Sequence, residues 1–225
     1  MAAVVVLAVV AATAVLLVPR NERVLPTIIP TGPERVPAFA FAVTRTGALP
    51  TAAIRTRKPV RTDPMLRLRG PSKRASREAI ATITRLYRGA FLDPANWRAA
   101  TYDDIWQYFS KAAKARARRD ARVLTAGAAA GPAYFAIVPR RSTVRITVLL
   151  DRKGTPVMVL ADARFRALGR RIAGASNTAF DSTGRFFLER VGAGWEIVSY
   201  DVRRSDDQVA KPPAVSPSPN LMGAT

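Results

Sequence analysis

The chain has 225 residues, no Cys and no His, and 36 basic against 16 acidic side chains, a formal charge of +20. Without His or Cys it excludes Ser-His-Asp and Cys-His catalysis, disulfides and Cys/His zinc sites, and it loses the usual titrating switch between about pH 5 and 8. The length accommodates an anchor, a tether and one domain of ordinary size.

Ala2 to Val18 is an uninterrupted run of apolar or small residues, closed by Pro19 and Arg20. As a helix it would be about 25 Å long, slightly short of the roughly 30 Å hydrocarbon core. Its seven Val and three Leu favour insertion by about 3 to 6 kcal/mol. A cleaved signal peptide needs a basic n-region and a small-x-small site soon after the apolar run, and neither is present. A buried core helix would need a groove polar nowhere along its sides. Residues 1–18 therefore read as a single transmembrane anchor. Arg20, Arg23 and Arg35 on its flank would by themselves hold the bulk of the chain in the cytoplasm. Domains behind an N-terminal anchor are nevertheless often exported, and an extracytoplasmic body is the expectation here.

Residues 19–74 read as a basic, Pro-rich tether, with Pro at 19, 26, 30, 33, 37, 50, 59, 64 and 71. Such composition favours extended, polyproline-like conformations. A domain follows over 75–204. Ala79, Ile80, Ile83, Leu86, Tyr87, Ala90 and Phe91 recur at helical spacing, with Ser76 as N-cap and Glu78 in the first turn. Asp93-Pro94 opens a short helix through Trp97. Thr101 and Asp104 have capping-box spacing before Ile105, Trp106 and Phe109. A third helix over Lys111–Leu124 is basic over a wide arc: Lys111, Lys114, Arg116, Arg118, Arg119 and Arg122. That arc is either a solvated face or a docking face for something acidic.

From Gly131 the periodicity changes to two. Tyr134–Val138 is short and apolar, and Thr143–Leu150 puts Val144, Ile146, Val148 and Leu150 on one face. Asp151-Arg152-Lys153-Gly154 predicts a hairpin turn. Pro156–Leu168, Asn177–Val191 and Trp195–Arg203 complete an antiparallel set, and three helices followed by such strands make an α+β pattern. Residues 205–225, rich in Pro and Ser, read as disordered.

Tyr87–Trp97 reads Tyr-Arg-Gly-Ala-Phe-Leu-Asp-Pro-Ala-Asn-Trp. The domain closes with Phe186-Phe187-Leu188-Glu189-Arg190 and Gly194-Trp195-Glu196-Ile197-Val198-Ser199-Tyr200-Asp201. Over about residues 76–204 these segments resemble the NTF2-like (SnoaL-like) domains of actinobacterial membrane-anchored proteins. The resemblance implies an NTF2-like cone, with three N-terminal helices packed on a curved antiparallel sheet behind a single transmembrane helix. That fold hosts enzymes, transport factors and scaffolds, so it implies no single activity. Its anchored members include accessory proteins of envelope transport and components of conjugation machines.

Enzymes of this family, such as ketosteroid isomerase and polyketide cyclases, place acid–base residues inside the cone. The matching cone-lining candidates are Tyr87, Tyr102, Trp106, Tyr134 and Asp162. Desolvation in a cone would make the Asp162 carboxylate a possible base. Arg164, two residues on along the same strand face, is the simpler reading as its ion-pair partner, and the aromatics sit at core spacing. Asp103-Asp104 and Asp206-Asp207 are the adjacent carboxylates, and each pair supplies too few oxygens for a Ca²⁺ or Mg²⁺ site. No cofactor is expected.

The sequence thus reads as a non-catalytic, membrane-tethered binding or scaffold domain, an accessory component of a cell-envelope, transport or secretion assembly. Anionic lipids and other envelope proteins are the expected partners. A small-molecule-binding or ketosteroid-isomerase-like enzyme is the alternative. A nucleic-acid partner comes third, because the basic residues are not interleaved with exposed aromatics and no binding motif appears.

Overall fold

A computed structural model of the protein describes residues 35–51, 68–171, 176–192 and 194–209. All of them belong to one compact unit, Glu34–Thr225. The expected anchor at 1–18 and most of the expected tether and tail lie outside the described residues.

Six strands form a single sheet: β1 (Ala42–Pro50), β2 (Tyr134–Pro139), β3 (Thr143–Leu150), β4 (Pro156–Arg171), β5 (Asn177–Val191) and β6 (Gly194–Val209). The order is β1-β3-β4-β5-β6, and β2 shares with β3 one edge of β4. The β3–β4 hairpin turns where Asp151 predicted it. The Asp151 carboxylate accepts from the Lys153 and Thr155 amides, each at 2.8 Å, and Gly154 takes a φ of +80° that glycine adopts without strain. β6 continues to Val209, into residues the composition marked as tail.

Strand alternation separates two faces. Val144, Ile146, Val148, Val159, Ala161, Phe165, Phe180, Phe186, Leu188 and Ile197 are buried on one face. Against it packs α1 (Gly70–Tyr87) through Ala75, Ala79, Ile83, Leu86 and Tyr87. Helix α1 starts earlier than Ser76. Pro71 sits in its first turn, and Ser72 hydrogen-bonds the Arg69 amide and carbonyl at 3.0 and 2.8 Å, while Ser76 is buried within the helix. Glu78 accepts from the Trp195 indole at 3.0 Å, tying α1 to β6. Phe39 and Phe41, from the chain before β1, lie edge-on to Phe165 and Tyr87 at 5.5 and 5.4 Å.

After α1 the chain makes a π-helical turn, Arg88–Leu92, closed by the Asp93 amide on the Arg88 carbonyl at 2.8 Å. A Cβ on Gly89 would come within 2.7 Å of Ile105, so only glycine permits this approach. Helix α2 (Pro94–Ala99) has Asp93 as N-cap, as expected, and ends at Ala100 with φ +54°. The Thr101–Asp104 capping box does not form. Instead Thr101 donates to the Ala99 carbonyl, and Asp104 accepts from Asn96 at 2.8 Å at the start of a 3₁₀ turn, Asp103–Tyr108. The expected third helix is broken at Asp120 into α3 (Lys111–Arg119) and α4 (Ala121–Leu124), and a last turn, α5 (Ala130–Ala133), leads into β2.

The expected cone of three N-terminal helices on an antiparallel sheet is therefore corrected. A strand, β1, precedes the helices and pairs parallel with β3, from Ala42–Thr143 to Pro50–Leu150, so the sheet is mixed and the helices form a crossover between parallel strands. Only α1 lies along the sheet. Helix α3 buries just Ala113 and Ala117, too little apolar surface to make it a packing layer. Among the described residues no helix is long and apolar enough to cross a membrane.

Candidate functional site

Four of the candidate interior residues, Tyr87, Tyr102, Trp106 and Tyr134, lie in or against the hydrophobic core. Tyr87 is 3% exposed, among Phe91, Phe165 and Phe186. Its hydroxyl has Ser182 as partner at 3.2 Å, and burial pushes its pKa up to about 12, so it stays a neutral phenol. Trp106 packs on Phe109, and Tyr134 lies edge-on to Phe180. The Tyr134 ring fits there because Gly169 has no Cβ, which would sit 2.7 Å from it. Tyr102 is also buried and donates to the Gly127 carbonyl at 3.2 Å, and burial raises its pKa.

Asp162 is on the other face of the sheet, among half-buried and exposed side chains. Its partner is not Arg164. Arg145 across β3 donates to it at 3.1 Å, and Arg185 across β5 at 2.8 Å. Arg164 pairs instead with Asp181 at 2.7 Å, which also receives Arg166 at 3.2 Å. The Arg164 hydrogen bond is the main cause that holds the Asp181 carboxyl below the usual carboxylate range.

These pairs belong to rows that cross the sheet in register. One reads Arg45, Arg145, Asp162, Arg185, Asp201. The next reads Thr143, Arg164, Thr183, Arg203, and the third Arg166, Asp181, Ser205. Towards the other end of the strands the same face turns apolar, with Leu149, Met158, Leu160 and Phe187 half-buried. Among the described residues no helix lies over this face, since all the fully buried positions of β3, β4 and β5 alternate to the α1 side.

The basic arc expected on the third helix is split by the break at Asp120. Lys111, Arg118, Arg119 and Arg122 are exposed and Lys114 is half-buried. Arg118 approaches Asp103 at 4.0 Å. Arg116 bonds Asp120 at 3.3 Å and lies 4.7 Å over the Tyr200 ring, whose hydroxyl donates to Asp120 at 2.7 Å. Burial, and then Asp120, push the Tyr200 pKa up, so this contact joins β6 to α3 without supplying a base.

A cleft of about 740 Å³ opens between β6 and the α4–α5 connection, lined by Tyr102, Arg122, Thr125, Gly127, Arg204 and Asp206 together with several alanines. Arg204 is 10% exposed, with its guanidinium over Phe180 and Phe91 at 5.1 and 5.7 Å. It donates through Nη1 to the carbonyls of Arg122, at 3.0 Å, and Thr125, and through Nη2 to Ala126, at 3.3 Å, and Asp206. Nε completes the fork on Asp206 at 2.7 Å. All five guanidinium donors are spent, so Arg204 closes the orphan carbonyls at the end of α4 and offers nothing to a ligand.

Asp181, Asp120 and Arg204 were not singled out by sequence reasoning. Asp181 was reachable, because pairing β4 with β5 in register puts it opposite Arg166. Arg204 gave no signal beyond its charge. Among the described residues no three carboxylates come together in a metal-binding group. No family model and no curated protein matches the chain.

Proposed function

We propose that the protein is a non-catalytic, membrane-tethered binding domain, an accessory component of a cell-envelope or transport assembly, held by residues 2–18 with its folded unit outside the cytoplasm. The open sheet face is its working surface. One observation carries this reading: that face bears ordered rows of paired charge running into an apolar end, while the interior hydroxyls are locked and neutral. Partly exposed apolar side chains beside ordered charge, with no helix over them among the described residues, are a surface suited to a partner.

A second reading, a small-molecule site, is favoured only by the cleft beside Arg204. Besides alanines its walls carry Arg122 and polar groups that are already engaged: Tyr102 on the Gly127 carbonyl, Thr125 on the Ala121 carbonyl and Asp206 on Arg204. Site-specific photocrosslinking in cells of the native host separates the two. A benzoyl-phenylalanine at Ser199, on the open face, should give discrete membrane-fraction adducts, and one at Ala128, in the cleft, should not. Adducts from Ala128 alone would overturn the binding-face reading.

A further inference from the structure

The open face is not uniform, and the position at which the chain reaches it narrows what it meets. The Ala42 amide donates to the Ser142 carbonyl at 2.9 Å, and β1 begins opposite Thr143. The chain from the N-terminus therefore reaches the sheet at its arginine-rich end. There Arg140 and Arg141 are exposed in the β2–β3 connection, and Arg140 bonds the Arg166 backbone at 2.8 Å. Arg170 continues the outer alternation of β4.

We infer that this end of the sheet face docks on the anionic phospholipid headgroups of the bilayer that the apolar N-terminus enters. The inference rests on the membrane-tethered reading above. Charge is the first argument. Asp201 and Asp207 also lie on this face, but Asp162 carries Arg145 and Arg185, and Asp181 carries Arg164 and Arg166. Each cluster thus keeps one net positive charge. Arg140, Arg141, Arg170 and Arg203 form no ion pair among the described residues.

Geometry is the second argument. Arg185 and Arg166 spend only Nε on their aspartates. Both Nη groups of each are left with no acceptor among the described residues. Guanidinium forks of this kind match phosphate oxygens. The charged rows hold Thr and Ser between the arginines and no aromatic side chain, so they lack the stacking platforms that single-stranded nucleic acid uses.

Reach is the third argument. Sixteen residues, 19–34, separate the apolar run from Arg35, and fully extended they span at most about 55 Å. A domain on so short a lead stays within range of the headgroups, which raises its effective concentration there.

The chain has no cysteine, so single labels are clean. The full-length chain carrying a donor fluorophore at Thr183→Cys, or at Ser205→Cys as a second position, would be reconstituted into vesicles containing a headgroup-labelled acceptor lipid. Energy transfer should rise when phosphatidylglycerol replaces a quarter of the phosphatidylcholine, and fall back in high salt. A label at Ala112→Cys on α3 should show no such rise. The triple variant R140Q/R141Q/R170Q should weaken the anionic-lipid response on the order of fivefold for each charge removed. Equal transfer from Thr183 in neutral and anionic vesicles, or an undiminished response in the triple variant, overturns the docking. Failure of the full chain to float with neutral vesicles removes the tether instead. Docking is then decided by salt-sensitive flotation with anionic vesicles, and its absence overturns the docking as well. Binding of an oligonucleotide that the triple variant loses, without any lipid response, assigns the face to nucleic acid and likewise overturns it.

Discussion

Arg204 is the residue whose substitution tests the reading of the cleft most sharply. Its guanidinium reaches three backbone carbonyls and both oxygens of Asp206 from a site only 10% exposed. Lysine keeps the charge but has three donors on a point-like ammonium, so it cannot fork Asp206 and still serve the α4 carbonyls. Hydrogen bonds to charged groups contribute about 1.5–3 kcal/mol each, and a carbonyl left unpaired at a buried site costs a similar amount. With water replacing part of the set, Arg204→Lys should cost about 2–4 kcal/mol. For a unit of this size each kcal/mol shifts Tm by about 2–4 °C, so a drop of about 5–15 °C is expected. Circular-dichroism melts of the detergent-solubilised full-length chain would read it. A Tm within about 2 °C of the parent would show that Arg204 is an ordinary surface cation and that the cleft is open to anionic ligands.

Other expectations follow from the same contacts. The Tyr87 pKa is raised from 10.0 to about 12, so its share of stability is whole below pH 10 and is lost as the pH rises towards 12, when the unfolded chain ionises first. The rise in pKa amounts to about 2.7 kcal/mol; in urea melts the parent should lose about that much relative to Tyr87→Phe across this window, and parallel pH profiles would contradict the burial argument. Gly169→Ala puts a Cβ 2.7 Å from the Tyr134 ring and 2.9 Å from Phe180, an overpacking worth about 1–3 kcal/mol, seen as a lower denaturant midpoint at unchanged slope. Asp162→Asn should cost less than about 1 kcal/mol, because its arginine pairs are half exposed, and it should leave cellular function intact. Loss of function at normal abundance would revive a catalytic role for that carboxylate.

Where local pattern suffices, the sequence was a good guide. The alternation in 143–150 and 156–168, the Asp151 turn and the Asp93-Pro94 helix start all appear in the structure. Long-range pairing was not legible. The β1 segment, Ala-Val-Thr-Arg-Thr-Gly-Ala-Leu-Pro, buries only Gly47 and Ala48 fully, and its strand character comes from β3, as in the bond from Thr44 to the Val144 carbonyl at 3.3 Å. The break at Asp120 has a similar origin. A continuous helical pattern gives way because Asp120 takes Tyr200, eighty residues on. Asp162 was matched to the nearest arginine in sequence, whereas neighbours two apart on a strand are farther away than residues directly opposite. Residues 205–209 have the composition of the expected tail, yet β6 runs through them and Asp206 is held there by Arg204.

The account stands on the apolar segment Ala2–Val18 holding the chain at a membrane. Alkaline carbonate extraction of host-cell membranes tests that directly, with the full chain compared against one lacking residues 2–18. The full chain should remain in the pellet and the shortened one should be released. Recovery of the intact, unprocessed chain in the supernatant would contradict it.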